Sequence, residues 1–200
     1  RSQKALEALD DAAQAEGAKP FTLVPLDIKD YEGIDRLAAA LYERFGRLDA
    51  LAACAGQLGT LTPTHQATPK MVEETLAVNL IANARLIRAF HPLLQLSAAG
   101  RAVFITSNAA TRPRAYWGAY AASKAGLEAL VKTWADELEI TTIKANLFNP
   151  GPTRTAMRAR AFPGEDPMTL PTPEEVAAQI IPLLQPGFGQ NAQTIAFARS

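Results

Sequence analysis

Tyr116-Trp117-Gly118-Ala119-Tyr120-Ala121-Ala122-Ser123-Lys124-Ala125-Gly126 is the stretch from which the rest of the chain can be read. Tyr120 and Lys124 stand four residues apart, and Gly, Ala and Ser occupy places where a surface helix would carry bulk. Downstream, Leu127, Leu130, Val131, Trp134 and Leu138 keep a 3.6-residue period, which predicts a helix through the segment. Positions i and i+4 share a helix face, so the phenol and the ammonium point the same way. A free tyrosine titrates near ~10. An ammonium held ~4 Å away at an effective dielectric of ~20 favours the phenolate by ~4 kcal/mol, which is ~3 pKa units at most. Such a tyrosine is a usable acid or base at neutral pH. Tyr-x-x-x-Lys is also a frequent coincidence in helices, so its surroundings must decide.

Those surroundings alternate between helix and strand. On the N-terminal side, the pattern predicts a helix over 3–16, with Leu6, Leu9 and Ala13 on one face and Gly17 as its stop. A strand over 21–26 follows, and Pro25, which cannot donate to a ladder, marks it as a sheet edge. Asp30 caps a helix carrying Ile34, Leu37, Ala38, Leu41 and Phe45 as its apolar stripe, ended by Gly46. A strand over 48–53 comes next. Thr68-Pro69 supplies an N-cap and a first-turn proline for a long helix over 70–96, which Pro92 should bend or end. Strand 102–106 leads into the Tyr120 helix, and strand 143–148 follows it. Thr172-Pro173-Glu174-Glu175 is a capping box opening a helix to about Leu184, and 194–197 is a last short strand. Alternation of this kind predicts an α/β fold: a doubly wound, parallel, Rossmann-like sheet in three α/β/α layers, forming a single domain over 1–200.

Composition narrows the function. Two hundred residues, 48% of them hydrophobic, can fill one core. Twenty basic residues balance twenty acidic ones, so no nucleic-acid or anionic-membrane partner is expected. The lone Cys54 allows no internal disulfide, and no apolar run reaches the ~18 residues of a membrane span. With no signal peptide at the start, the expected location is cytoplasmic. His65 and His91 are the only histidines, and no Cys/His cluster has metal-ligand spacing, so no metal is expected.

Four elements together resemble the short-chain dehydrogenase/reductase family. Asn79, in Ala77-Val78-Asn79-Leu80, precedes Ser107 by twenty-eight residues, and Ser107 precedes Tyr120 by thirteen. Asn149-Pro150-Gly151-Pro152-Thr153-Arg154-Thr155 follows a further apolar strand. Within the family, Arg112 to Tyr120 and Arg154 to Arg158 look most similar to uncharacterised bacterial oxidoreductases, themselves similar to 3-oxoacyl-carrier-protein reductases. The resemblance implies an NAD(P)-dependent enzyme acting on a small carbonyl or alcohol substrate. By match, Tyr120 exchanges a proton with the substrate oxygen, Ser107 holds that oxygen, Lys124 lowers the phenol's pKa and bonds the nicotinamide ribose, and Asn79 interrupts its helix and carries a water. Asp27, with the adjacent Ile28, matches the adenine-binding position, although an Asp after a strand is also a common turn residue. Pro150-Gly151 matches the turn beside the nicotinamide, with the Thr153 backbone at the carboxamide and the Thr155 hydroxyl at a phosphate. Where the family carries Asn-Asn-Ala-Gly, this chain has Ala53-Cys54-Ala55-Gly56; the small Ala55-Gly56 pair still lets backbone approach a cofactor. The resemblance also implies residues 156–171 as a substrate-side loop. It implies too a homodimer or homotetramer built by the 70–96 and Tyr120 helices, with Ala125, Gly126 and Ala129 allowing close approach.

The family's opening strand, Gly-x-x-x-Gly-x-Gly turn and helix have no counterpart in these residues. By the family's strand order the 21–26 strand would be outermost, two strands away from 48–53. We therefore expect a preceding strand-helix-strand unit of roughly thirty to forty residues outside this sequence. Arg1-Ser2 would then follow the second strand, where an Arg suits the 2′-phosphate of NADP and an acidic residue the 2′-hydroxyl of NAD. NADP is expected in preference to NAD. A non-catalytic nucleotide-binding or scaffold protein on the same fold is the alternative, favoured by the missing Gly-rich turn and disfavoured by the intact Asn79, Ser107, Tyr120 and Lys124.

Overall fold

The computed structural model describes residues 2–199. Helices begin where the sequence supplies a cap. The Asp30 carboxylate accepts from the Gly33 amide to open α2 (Tyr31–Phe45), and Gly46 ends it at φ +73°, a backbone state that glycine adopts without strain. Thr68 caps α3 (Pro69–Leu76), and Thr172 and Glu175 exchange reciprocal bonds at α7 (Pro173–Ile180). Between them lie α4 (Ala82–Gln95), α5 (Gly118–Glu137) and the short α6 (Ala156–Ala161); α1 (Gln3–Ala15) opens the chain.

Among the described residues, four parallel strands form one sheet in the order β1 (Ala50–Ala53), β2 (Arg101–Ile105), β3 (Lys144–Asn149), β4 (Thr194–Ala196). Both faces are covered, as parallel sheets require. Ala102 and Phe104 of β2 point with Leu147 into a cluster with Ile34, Phe90, Leu94, Leu127 and Val131 of α2, α4 and α5. The alternate residues, Val103 and Phe148, pack on the opposite side against Val176 of α7 and Leu183. The architecture is the expected Rossmann-like three-layer fold.

Four local expectations need correction. Phe21–Leu26 has no assigned secondary structure and joins no ladder, because among the described residues no strand lies beside it to accept or donate. Of the two outcomes expected of Pro92, a bend or an end, the end does not occur, since α4 runs on to Gln95; so near the C-terminus its missing N–H frees only one carbonyl before the helix stops. The helix opened by Thr172 gives way after Ile180 to a 3₁₀ turn over Ile181–Leu184, where Pro182 cannot continue the α pattern. Gly126 serves contact within the chain: a Cβ there would come within 3.0 Å of Leu80 Cδ2.

Phe104 is fully buried at the centre of the sheet and meets Trp134 edge-on, with ring centroids 6.2 Å apart. Phe104→Ala should lower unfolding stability by ~3–5 kcal/mol, read as a fall in the urea midpoint with little change in slope.

Candidate active site

The ends of β1, β2 and β3 contribute to one cleft at the carboxyl edge of the sheet, where open parallel α/β folds hold ligands. Cys54 and Gly56 follow β1, Thr106 and Ser107 follow β2, and Asn149, Pro150 and Gly151 close β3. The cavity they share with α5 has a volume of about 430 Å³. Tyr120 enters it from the first turn of α5 and Lys124 from the next; both side chains are buried, at 8% and 3% exposure.

Burial sets their chemistry. The phenol's pKa is raised by desolvation, with a side-chain hydrogen bond to Ser107 acting in the opposite direction. Lys124 is pushed down to about 8 because burial strips water from its ammonium, although Nζ still donates to the Ile105 carbonyl at 2.7 Å. The lowering of the phenol by Lys124 expected from the helix spacing is therefore absent here. Nζ lies 5.9 Å from the Tyr120 ring centroid and faces a carbonyl, so desolvation of the phenol prevails.

Asn79 sits behind the cavity wall at a π-turn over Ala77–Ile81 that joins α3 to α4. Its Nδ2 donates to the Gln57 carbonyl at 2.8 Å and to Ser123 Oγ at 2.9 Å, and its Oδ1 accepts from the Gln57 amide at 2.8 Å. Ser123 in turn donates to the Tyr120 carbonyl at 2.7 Å. The side chain thus ties the loop after β1 to α5, while its own carbonyl accepts from Asn83 Nδ2 at 2.9 Å. The interrupted helix expected at Asn79 is present.

Among the residues anticipated from sequence, Cys54, Gly56, Ser107, Tyr120, Lys124, Pro150, Gly151, Thr153 and Thr155 line the one cavity. Asp27, Ile28 and Ala55 do not; Asp27 Oδ1 accepts from the Lys29 amide at 3.0 Å, the local turn bond of an Asx residue. Arg1 lies outside the described residues. Cys54 is solvent-accessible, yet desolvation raises its thiol pKa, opposed by the Lys124 charge.

One wall escaped residue-by-residue reading. Trp117 meets Tyr120 edge-on at 5.7 Å and Phe162 at 5.8 Å, and Arg158 lies 3.7 Å over the Phe162 ring while bonded twice to Glu165 at 2.6 Å. Met157, Arg112 and Arg114 complete this side. Trp117, one turn before Tyr120, was a possible signal; Phe162 and Arg158 come from a segment whose approach depends on the tertiary fold.

The short chain dehydrogenase family model matches residues 1–166, so the chain belongs to that family. It is 42% identical over 145 residues to the uncharacterized oxidoreductase YciK of Escherichia coli K12, covering 72% of this chain and 57% of that protein. A vibriobactin-specific 2,3-dihydro-2,3-dihydroxybenzoate dehydrogenase of Vibrio cholerae is 36% identical over 142 residues, covering 71% and 54%. The chain therefore spans little more than half the length of these relatives. Among solved structures, a short chain dehydrogenase from Salmonella enterica serovar Typhi superposes with a TM-score of 0.91 at 32% identity, covering 98% of this chain and 82% of that one. One from Escherichia coli CFT073, complexed with NADPH, gives a TM-score of 0.91 at 34% identity over the same shares.

The depressed Lys124 pKa has a measurable consequence. Below pH 8 the amine is charged both folded and unfolded, and its burial opposes folding. Between about 8 and the ordinary 10.5, the folded protein has released a proton that the unfolded chain still holds, so stability rises with pH across that window. Relative to Lys124→Met, the wild type should gain at most ~3 kcal/mol between pH 7.5 and 10.5, measured by urea unfolding without added nucleotide. A flat difference would contradict the shift.

Proposed function

We propose that the protein is an NAD(P)-dependent oxidoreductase that interconverts a small carbonyl compound and its alcohol, with Tyr120 as proton donor and acceptor. The observation that carries this reading is the pairing of the Ser107 and Tyr120 hydroxyls over a buried Lys124 inside a cavity of about 430 Å³.

The residues present fit the nicotinamide end of the cofactor. Gly56 leaves open a place where even a Cβ would only reach ordinary contact, 3.6 Å from Lys124 Nζ and Asn79 Oδ1, and Gly151 has nothing within 4 Å of such an atom. Lys124, Thr153 and Thr155 supply donors around that space. When bound, the reduced cofactor supplies a hydride, leaving oxidised as the substrate carbonyl carbon gains the electron pair. Ser107 Oγ holds the carbonyl oxygen. As that oxygen takes the π pair, Tyr120 Oη donates its proton, and the alcohol forms. The raised phenol pKa suits this direction, since the group stays protonated at neutral pH until a developing oxyanion draws the proton. Solvent returns the proton to the phenolate, while Lys124 stays on the Ile105 carbonyl, 5.9 Å from the ring centroid. Residues 156–171, through Met157, Arg158, Ala161 and Phe162, form the substrate side.

NADP is the cofactor we favour over NAD, a choice supported by the NADPH complex of the Escherichia coli relative. The Vibrio cholerae relative, named for a dihydroxybenzoate, supports a small hydroxylated or carbonyl substrate.

Tyr120→Phe deletes only the proton-carrying oxygen, so kcat for ketone reduction should fall by ~10²–10⁴ while the far-ultraviolet spectrum and melting temperature stay near wild type. Turnover in the parent should be faster with NADPH than with NADH. Near-full reduction by the variant would sink the reading.

We also propose a homodimer or homotetramer using α4 and α5, where Ala125 and Ala129 are exposed. A strictly monomeric scattering mass at micromolar concentration would contradict it.

A further inference from the structure

Charge on the cavity wall is one-sided. Arg112, Arg114, Arg158 and Lys124 line it, and no Asp or Glu does. Two of these cations are already committed: Lys124 donates to the Ile105 carbonyl, and Arg158 is held by both oxygens of Glu165. Arg112 and Arg114 differ. Among the described residues neither has a carboxylate within ion-pair distance. Arg114 instead sits 5.8 Å from the centroid of the Phe162 ring.

The segment that carries them is held in place at several points. The Arg112 amide donates to the Asn108 carbonyl at 2.8 Å, the Trp117 amide to the Arg114 carbonyl at 3.2 Å, and the Thr62 amide to the Tyr116 carbonyl at 3.0 Å. Tyr116 adopts φ +73°, a left-handed state that a residue with a bulky side chain keeps only where its surroundings impose it. An ordinary solvated arginine needs no such anchoring. Trp117, Met157 and Phe162 line the same cavity and give it an apolar surface alongside the two free guanidinium groups and the Tyr120 hydroxyl.

We propose that Arg112 and Arg114 form an anion-binding subsite, so that the substrate carries a carboxylate or phosphate joined through an apolar segment to the carbonyl presented to Tyr120. This rests on the reductase reading above. A guanidinium binds either anion with two parallel hydrogen bonds, so the shared chemistry is a planar or tetrahedral oxyanion. Fixing that anion orients the carbonyl, which converts charge recognition into a specificity for where the hydride is delivered.

The test uses three ketones of one shape with the full chain and NADPH: 4-acetylbenzoate, its methyl ester and 4-acetylphenyl phosphate. At low salt, the better of the two anions should exceed the ester in kcat/KM by about tenfold or more, mostly through KM, because a charge-assisted bond is lost in the ester. The preference should shrink as salt is raised. A preference for the phosphate identifies a phosphorylated substrate, and one for the benzoate a keto acid. Arg112→Gln with Arg114→Gln, both exposed positions, should bring the anions down to the ester and leave the ester unchanged, whereas Arg88→Gln on α4 should alter none of them. Equal kcat/KM for anions and ester in the parent, or a preference that survives the double variant, overturns the subsite and leaves the reductase reading standing. If no ketone is reduced, that reading fails, and the subsite is judged by quenching of tryptophan fluorescence with the same probes. Saturable binding of an anion that the double variant loses then upholds it; no binding, or binding matched by the ester, overturns it.

Discussion

A single buried amide holds the geometry of the candidate site together. Asn79 has no exposure, and all three of its side-chain hydrogen bonds are made: two to the Gln57 backbone and one to Ser123. Unsatisfied, an amide so deeply buried would cost on the order of 1–3 kcal/mol per lost partner. Satisfied, it fixes the distance between the loop after β1 and the first turns of α5. The π-turn at Ala77–Ile81 is the local departure from α geometry at which Asn79 sits. Gly56 lies beside both groups: a Cβ there would stand 3.6 Å from Asn79 Oδ1 and from Lys124 Nζ.

That knot defines the environment in which the two titrating groups sit. Tyr120 and Lys124 are on one helix face, yet burial acts on them in opposite directions along the pH scale, raising the phenol and lowering the amine away from it. Desolvation disfavours the charged form of each. The two values therefore move apart, the amine to about 8 and the phenol above its ordinary 10, so both groups favour their neutral forms. A bound cofactor and substrate would displace water further and change the partners of both. The Ile105 carbonyl that now receives the ammonium is at the end of β2, two residues before Ser107, so strand and helix are coupled through this one bond.

Around the pair, the sheet supplies rigidity and the loops supply identity. β2 and β3 are buried on both faces, their alternate side chains reaching separate clusters, so the strand ends that carry Ser107 and Asn149 have little freedom. Asn149 extends the network by donating to Asn108 Oδ1 at 2.7 Å and accepting from the Gly151 amide at 3.1 Å. The wall of Trp117, Met157, Arg158 and Phe162 has no such strand support and is held by ring contacts and the Arg158–Glu165 pair instead. This side belongs to a segment with one short helix and turns, the part of an α/β fold that varies most readily with substrate.

Local sequence rules determined most of the skeleton. Caps at Asp30, Thr68 and Thr172, the stop at Gly46, and the apolar runs of β1 to β3 were legible because each depends on residues a few positions apart. The spacing of Asn79, Ser107, Tyr120 and Lys124 was legible too, and with it the family. The tertiary structure alone decided what those residues experience. Phe21–Leu26 has strand composition but no ladder, since pairing requires a neighbour that composition cannot provide. Helix spacing placed Lys124 beside Tyr120 but did not reveal the Ile105 carbonyl that engages the ammonium, nor the loss of water that raises the phenol. The aromatic and arginine wall likewise joins residues forty-five positions apart, from Trp117 to Phe162. Periodicity reports which face a residue occupies; solvent exclusion and long-range contact depend on everything packed against that face, and only the folded chain contains that information.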